Sequence, residues 1–173
     1  NRKSEVMLHD AELLSTLVHL QGGNYEGKKL WPAWRTVLTN QFHDILPGSS
    51  IGEVYSDADR EYGEAQDIIR GVRDEALLEL VKHMDTTGPG TPVLVFNTLS
   101  WIRDAVVEAE VPLPKGRFHV VAPDGSVVPS QKTDANKILF EAQALPPLGH
   151  AIFHVVAGAG KADTHARVEA SPN

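Results

Sequence analysis

The chain has 173 residues, 42% of them hydrophobic, with a formal net charge of −7 and no cysteine. That length allows one ordinary domain or two small ones, with enough apolar residues for packed cores. The acidic balance, without a basic run to displace phosphate counterions, excludes nucleic acid as a partner, and the missing thiols exclude disulfides and restrict any metal site to imidazole and carboxylate donors.

The sequence starts at Asn1 rather than Met and passes at once into helical periodicity, as expected of a piece of a longer protein. Val6, Asp10, Leu13, Leu17 and Leu20 recur on one face, with Met7, Leu14 and Val18 beside it, and predict a first helix ended by Gly22-Gly23. After the polar connection NYEGKK, residues 31–44 read as a second helix, with Pro32 near its start, where a missing N–H does no harm. On a helical wheel its core side carries Trp34, Leu38, Gln41, Phe42 and Ile45; Thr36, Thr39, Asn40 and His43 fall on the outer side. Pro47-Gly48 stops this helix, and Ser50-Ile51-Gly52-Glu53 reads as a capping box that opens a third, long helix reaching about Met84. No apolar run approaches the roughly 20 residues needed to cross a bilayer, so no membrane partner is expected.

The composition then changes. TTGPGTP reads as a linker, and beyond it come the β-rich runs VLVFN, AVVEAEV, FHVVA, KILFEAQAL and AIFHVV, separated by Pro, Gly, Asp and Asn. The fold class is α+β in two domains: an antiparallel three-helix bundle over 1–87 and a small all-β sandwich-like domain over 91–157. The stretch 158–173 has little to bury and is expected to be a disordered tail.

One dipeptide could carry chemistry. His43 and Asp44 stand side by side at the end of the second helix, His43 on the side away from the core. A histidine at a helix C-terminus interacts favourably with the macrodipole, and an aspartate beside a turn commonly solvates it, so a purely structural role is open. The functional alternative is part of a zinc site completed by another domain, because catalytic zinc takes three or so protein ligands of these types. The other histidines read more plainly: His9 and His19 as helix residues, His150 and His154 as neighbours on one strand face without a third ligand. Trp34 reads as core, Trp31 as core or a sugar-stacking surface, and Trp101 as a loop anchor.

The segments NRKSEVMLHDAELL, LWPAWRTVLTNQFHDILPGSSIGEVYSDA and VLVFNTLSWIRDAVVEAEVP, taken in this order, resemble glycoside hydrolase family 38, the zinc-dependent class II α-mannosidases. The resemblance runs over residues 1–156, and FHDILPGS followed by FNTLSW is its most specific part. It implies a bundle and first β domain that follow an N-terminal catalytic α/β domain of the same chain, with an α-mannoside as substrate. It also implies His43 as a ligand of the active-site zinc and Asp44 as a carboxylate that contacts the sugar. The nucleophile of the retaining reaction and the other zinc ligands would lie in the α/β domain, so these residues hold no catalytic group of their own and are expected to be inactive alone. The nearest candidates to partner the second ring nitrogen of His43 are Asn40 and Thr39. Two other readings compete: a metal-dependent His-Asp phosphohydrolase, which would need further His and Asp ligands on neighbouring helices, and a helical-plus-β interaction module with no metal.

Overall fold

A computed structural model describes residues 1–160, which divide into two compact units, Asn1–Met84 and a second beginning at Asp85. The first holds three helices, α1 (Arg2–Leu20), α2 (Gly27–Thr39) and α3 (Gly52–Val81). Lys29 and Asn40 of α2 and its end meet Glu75 and Glu61 of α3, so these two helices run antiparallel. Ser4 meets Gln66, and Ser15 and Val18 share a cleft with Val72 and Ala76, so α1 and α3 run in the same direction. The bundle is up-down-up.

Its core is not the stripe of largest apolar residues. On α1 the buried positions are Ser4, Met7, Leu8, Ala11, Leu14, Ser15 and Val18, while Val6 and Leu20 are exposed. The serines enter the core because their hydroxyls are satisfied there: Gln66 Nε2 donates to Ser4 Oγ at 3.0 Å and the Glu26 N–H to Ser15 Oγ at 2.8 Å. Small side chains also let the helix axes approach. On α2 the buried face is Leu30, Ala33, Val37 and the terminal Asn40, an i, i+3, i+7, i+10 series. Trp34 is only partly buried, and Leu38 and Phe42 are exposed. The expected core side of α2 is therefore turned by about one residue step, because Ala33 and Asn40 carry no apolar weight on a wheel. The long α3 follows its expected stripe more closely, burying Ala58, Ala65, Ile69, Val72, Ala76 and Leu80.

Two helix boundaries also differ from expectation. α2 begins at Gly27, which leaves Pro32 inside the helix rather than at its start. α3 begins at Gly52 with Ile51 as its N-cap and no side-chain capping bond, so Ser50 and Glu53 do not form a capping box.

The second unit is two antiparallel sheets. One has the order β1 (Thr91–Asn97), β7 (Gly149–Ala157), β3 (Phe118–Val121), β4 (Val127–Val128); the other β2 (Arg103–Glu110), β6 (Lys137–Leu145), β5 (Ser130–Asp134). Alternate residues of β1, β6 and β7 supply the core, where Phe140 and Phe153 stack with centroids 5.0 Å apart beside Val95, Val120, Ile138 and Val155. β6 carries an irregularity opposite Arg103, where Ala144 takes a φ of 51° and its N–H donates to the Asp104 carboxylate at 2.7 Å.

The expected linker is seated on this unit. Thr87 N–H donates to Asp85 Oδ1 at 2.9 Å, and Gly88 lies so close over the His154 ring that a Cβ would come within 2.2 Å of its Cε1. Gly90 has φ +77°, and a Cβ there would meet the Val155 carbonyl oxygen at 2.1 Å. Only glycine fits such approaches. In the FNTLSW turn the anchor is Asn97 rather than Trp101: the buried Asn97 amide reaches the carbonyls of Trp101, Leu145 and Pro146 at 2.8–3.2 Å, while the indole is exposed. Residues 158–160 continue beside β3, with the Gly158 N–H donating to the Arg117 carbonyl at 2.8 Å. The rest of the expected tail, 161–173, lies outside the described residues.

Candidate functional site

α2 stops at Thr39, three residues before Phe42-His43-Asp44, so the His-Asp pair stands on a run of turns and not on the helix itself. The stop is built by Asn40. Its backbone N–H still donates to the Thr36 carbonyl at 3.1 Å, and its side-chain Nδ2 donates both to that carbonyl at 3.1 Å and to Glu61 Oε2 of α3 at 2.8 Å. With 3% of its surface exposed, Asn40 is a buried polar residue whose two amide hydrogens both find acceptors. It points inward, opposite to the outer face expected for it, and so cannot partner His43.

The next residue is fixed as well. Gln41 Nε2 donates to Glu5 Oε1 at 2.7 Å and to Asn1 Oδ1 at 3.2 Å, and the Tyr62 hydroxyl donates to the same Asn1 oxygen at 3.2 Å. Burial, with the Glu5 carboxylate nearby, pushes the Tyr62 phenol above its ordinary pKa. The start of α1, the end of α2 and the third turn of α3 are thus tied together below the site.

Beyond Gln41 the backbone unwinds into i→i−3 and i→i−4 turns: Phe42 N–H to Thr39, Ile45 and Leu46 N–H to Phe42, and Gly48 N–H to Ile45. Gly48 makes the final reversal with φ +86°. The far end of the loop is held by Tyr55 on the first turn of α3, whose hydroxyl accepts the Ser50 N–H at 2.9 Å and lies 3.4 Å from the Asp44 carbonyl oxygen. Ser49 Oγ is 3.5 Å from the same carbonyl.

Between these anchors His43 and Asp44 project outward, with side chains 78% and 58% exposed and Nε2 3.5 Å from Oδ2. The Phe42 ring lies against the imidazole, centroids 4.2 Å apart and tilted by 48°. Among the described residues no group of three or more His, Cys, Asp or Glu could hold a metal ion. An imidazole and a carboxylate are donors of the right kind for zinc in a chain without thiols, but one short of the smallest catalytic set. The pair fits a metal as part of a shared site and not as a complete one. The neighbouring helices supply no further ligands of the sort a His-Asp phosphohydrolase needs.

The remaining sequence candidates separate from this site. His150 lies on the outer side of β7 beside Phe96, with ring centroids 5.7 Å apart, and His154 packs under Gly88. A cleft of about 310 Å³ in the helical unit, lined by Ser15, Val18, Glu75 and Glu79 among others, sits at the other end of α1 from His43. Trp31 is 62% exposed and borders a shallow groove with Tyr25, Trp34 and Leu38. Of the two residues that hold the loop, the sequence pointed to Asn40 only as a neighbour of His43 and gave no sign of Tyr55. An asparagine three residues before a His-Asp pair has a capping propensity, but nothing local marks a tyrosine eleven residues past Asp44 as its partner.

Residues 1–80 match the alpha mannosidase middle domain family. The chain is 35% identical over 115 residues to mouse Alpha-mannosidase 2C1, which covers 65% of this chain and 11% of that protein. It is 30% identical over 117 residues to Alpha-mannosidase of Saccharomyces cerevisiae, covering 65% and 10%. A crystal structure of a glycosyl hydrolase family 38 protein from Enterococcus faecalis superposes with a TM-score of 0.77 at 22% identity, covering 95% of this chain and 24% of the other. The chain therefore spans about a tenth of the length of the curated relatives it matches. The helical unit is thus an alpha mannosidase middle domain, and the chain as a whole has the fold of the matching part of a glycosyl hydrolase family 38 protein.

Proposed function

We propose that this chain serves a retaining α-mannosidase by supplying His43 as one ligand of an active-site zinc and Asp44 as a carboxylate that binds the mannoside. The observation that supports the reading is the presentation of the pair. An imidazole and a carboxylate, 3.5 Å apart and mostly exposed, are held on a loop tied down at both ends. The two solvated side chains themselves add no packing to the bundle. Order of that kind around them suits a ligand that must meet partners from elsewhere.

Zinc, when bound, would supply positive charge to orient sugar hydroxyls. This chain's part is narrower: His43 presents an imidazole that is 78% exposed, and Asp44 offers a charged acceptor to a hydroxyl. The nucleophile and the remaining ligands belong, on this reading, to an N-terminal catalytic domain, so the 173 residues alone bind zinc weakly and hydrolyse nothing. Structural zinc sites reach apparent binding energies of about 10–16 kcal/mol only with a full ligand set.

The test uses an α-mannosidase polypeptide that carries this chain. His43→Ala should strip zinc and abolish hydrolysis while the circular dichroism of the helices is kept. Full zinc occupancy with unchanged turnover would return His43 to the role of a solvated loop residue, as the metal-free interaction module requires.

A further inference from the structure

We infer that Tyr55 is a positioning residue for Asp44, holding the loop 44–50 in the one arrangement that aims the carboxylate. Its phenolic oxygen uses both of its hydrogen-bonding capacities on that loop. It accepts the Ser50 N–H at 2.9 Å and faces the Asp44 carbonyl oxygen at 3.4 Å, so that one atom joins two backbone groups six residues apart. Between them lies Pro47-Gly48, where proline has no N–H to donate and the chain reverses at the positive φ of Gly48, whose own N–H reaches back to the Ile45 carbonyl. Ser49 Oγ adds a third, longer approach to the same Asp44 carbonyl at 3.5 Å.

The consequence for Asp44 is geometric. The carbonyl contact holds the plane of the peptide that follows Asp44, and with it the place of the Asp44 Cα from which the carboxylate projects. Tyr55 is the element that ties this plane to the rigid start of α3. It is half-buried, it does not reach the exposed pair itself, and its hydroxyl has no other protein partner in the bundle interior among the described contacts. A phenylalanine would fill the same space, leave Ser50 N–H without its acceptor and free the Asp44 peptide to rotate.

The inference rests on Asp44 contacting the sugar, and the test separates the two. In an α-mannosidase carrying this chain, Asp44→Asn, Tyr55→Phe and the double variant are compared on an aryl α-mannoside, with zinc measured in each. A misplacement of the order of 1 Å costs about 100-fold in rate, so Tyr55→Phe should lower kcat/KM by roughly 10- to 100-fold with zinc retained. Added to Asp44→Asn it should cost less than about threefold more, because the residue acts through that carboxylate. Full additivity, or Tyr55→Phe equal to parent beside an impaired Asp44→Asn, overturns the inference alone. A silent Asp44→Asn overturns the sugar-site reading and the inference with it. A second measurement does not depend on the variant folding: in the 173-residue chain the Ser50 amide should exchange with solvent at least tenfold more slowly than an open amide, and an unprotected Ser50 amide overturns the geometry.

Discussion

Asn40 allows the packing below the site to be tested in magnitude. Its side-chain amide donates one bond to a charged acceptor, Glu61 at 2.8 Å, and one to a neutral acceptor, the Thr36 carbonyl at 3.1 Å. Truncation in Asn40→Ala removes about 1.5–3 kcal/mol for the first and about 0.5–1.5 kcal/mol for the second. Asn40 stands just past the last helical residue, so no gain in helix propensity offsets the change and the loss is about 2–4.5 kcal/mol. A unit of this size has a stability of roughly 4–12 kcal/mol, so the change is large. With an m-value near 1–1.5 kcal/mol/M in urea, the midpoint of the helical transition, followed by far-ultraviolet circular dichroism, should fall by about 1.3–4.5 M. Asn40→Asp adds a sign that depends on pH. It sets a second carboxylate against Glu61, which raises the pKa of one of the two in the folded state. The penalty is then present at neutral pH and lifts as pH falls through that raised value toward about 4, a recovery that Asn40→Ala cannot show. Midpoints within about 0.3 M of parent for both variants would refute the account of how α2 ends.

The register of the helical core is tested by a pair: Leu30→Ala, at 1% exposure, should cost about 2–5 kcal/mol, while Leu38→Ala, at 53%, should stay within about 0.5–1 kcal/mol of parent in the same urea titration. Gly90→Ala should lower the melting midpoint of the β unit by the equivalent of about 1–3 kcal/mol, since it combines a positive φ with a Cβ against the Val155 carbonyl; an unchanged melt would show that the 85–90 segment is not seated on β7. The Asp124 carboxyl is held below its ordinary pKa by the Ser126 hydroxyl at 2.7 Å and the Ser126 N–H at 2.9 Å. Its contribution is therefore present above the unfolded value near 4 and lost as pH falls through the lower folded one. A carboxyl-detected NMR titration should place its midpoint under the ordinary aspartate value, moving upward in Ser126→Ala; a midpoint at or above that value removes the turn bonds.

The architecture was legible because it depends on periodicities that survive any local rearrangement: three runs of helical spacing, then short β-rich runs. The face each helix buries was less legible, and the reason is the same on α1 and α2. Ser4, Ser15, Ala11, Ala33 and Asn40 are buried because helices approach closely there and tertiary hydrogen bonds satisfy the polar ones. A wheel weighted by side-chain hydrophobicity assigns such positions to solvent and places Leu38 and Phe42 inside. Tyrosine, serine and glycine positions whose roles come from partners distant in the chain, such as Gly88 against His154, leave no local trace.

The site divides in the same way. His43-Asp44 was visible as a dipeptide because two chemically active side chains before a Pro-Gly break need no tertiary information to be noticed. Its support was not visible, since every anchoring bond joins separate elements: Gln41 to Asn1 and Glu5, Asn40 to Glu61, Ser50 and Asp44 to Tyr55. The end of α2 at Thr39 changes what the pair can do. Had the helix run on through Asp44, that residue would have continued the buried series Leu30, Ala33, Val37 and Asn40, seven positions on from Val37, and its carboxylate would have turned inward. Ending the helix at a buried asparagine frees the next few residues to turn outward, and the tie through Tyr55 restores the order that leaving the helix forfeits. The bundle thus supplies rigidity to the loop backbone, and the loop supplies the outward direction of the exposed His43 and Asp44 side chains.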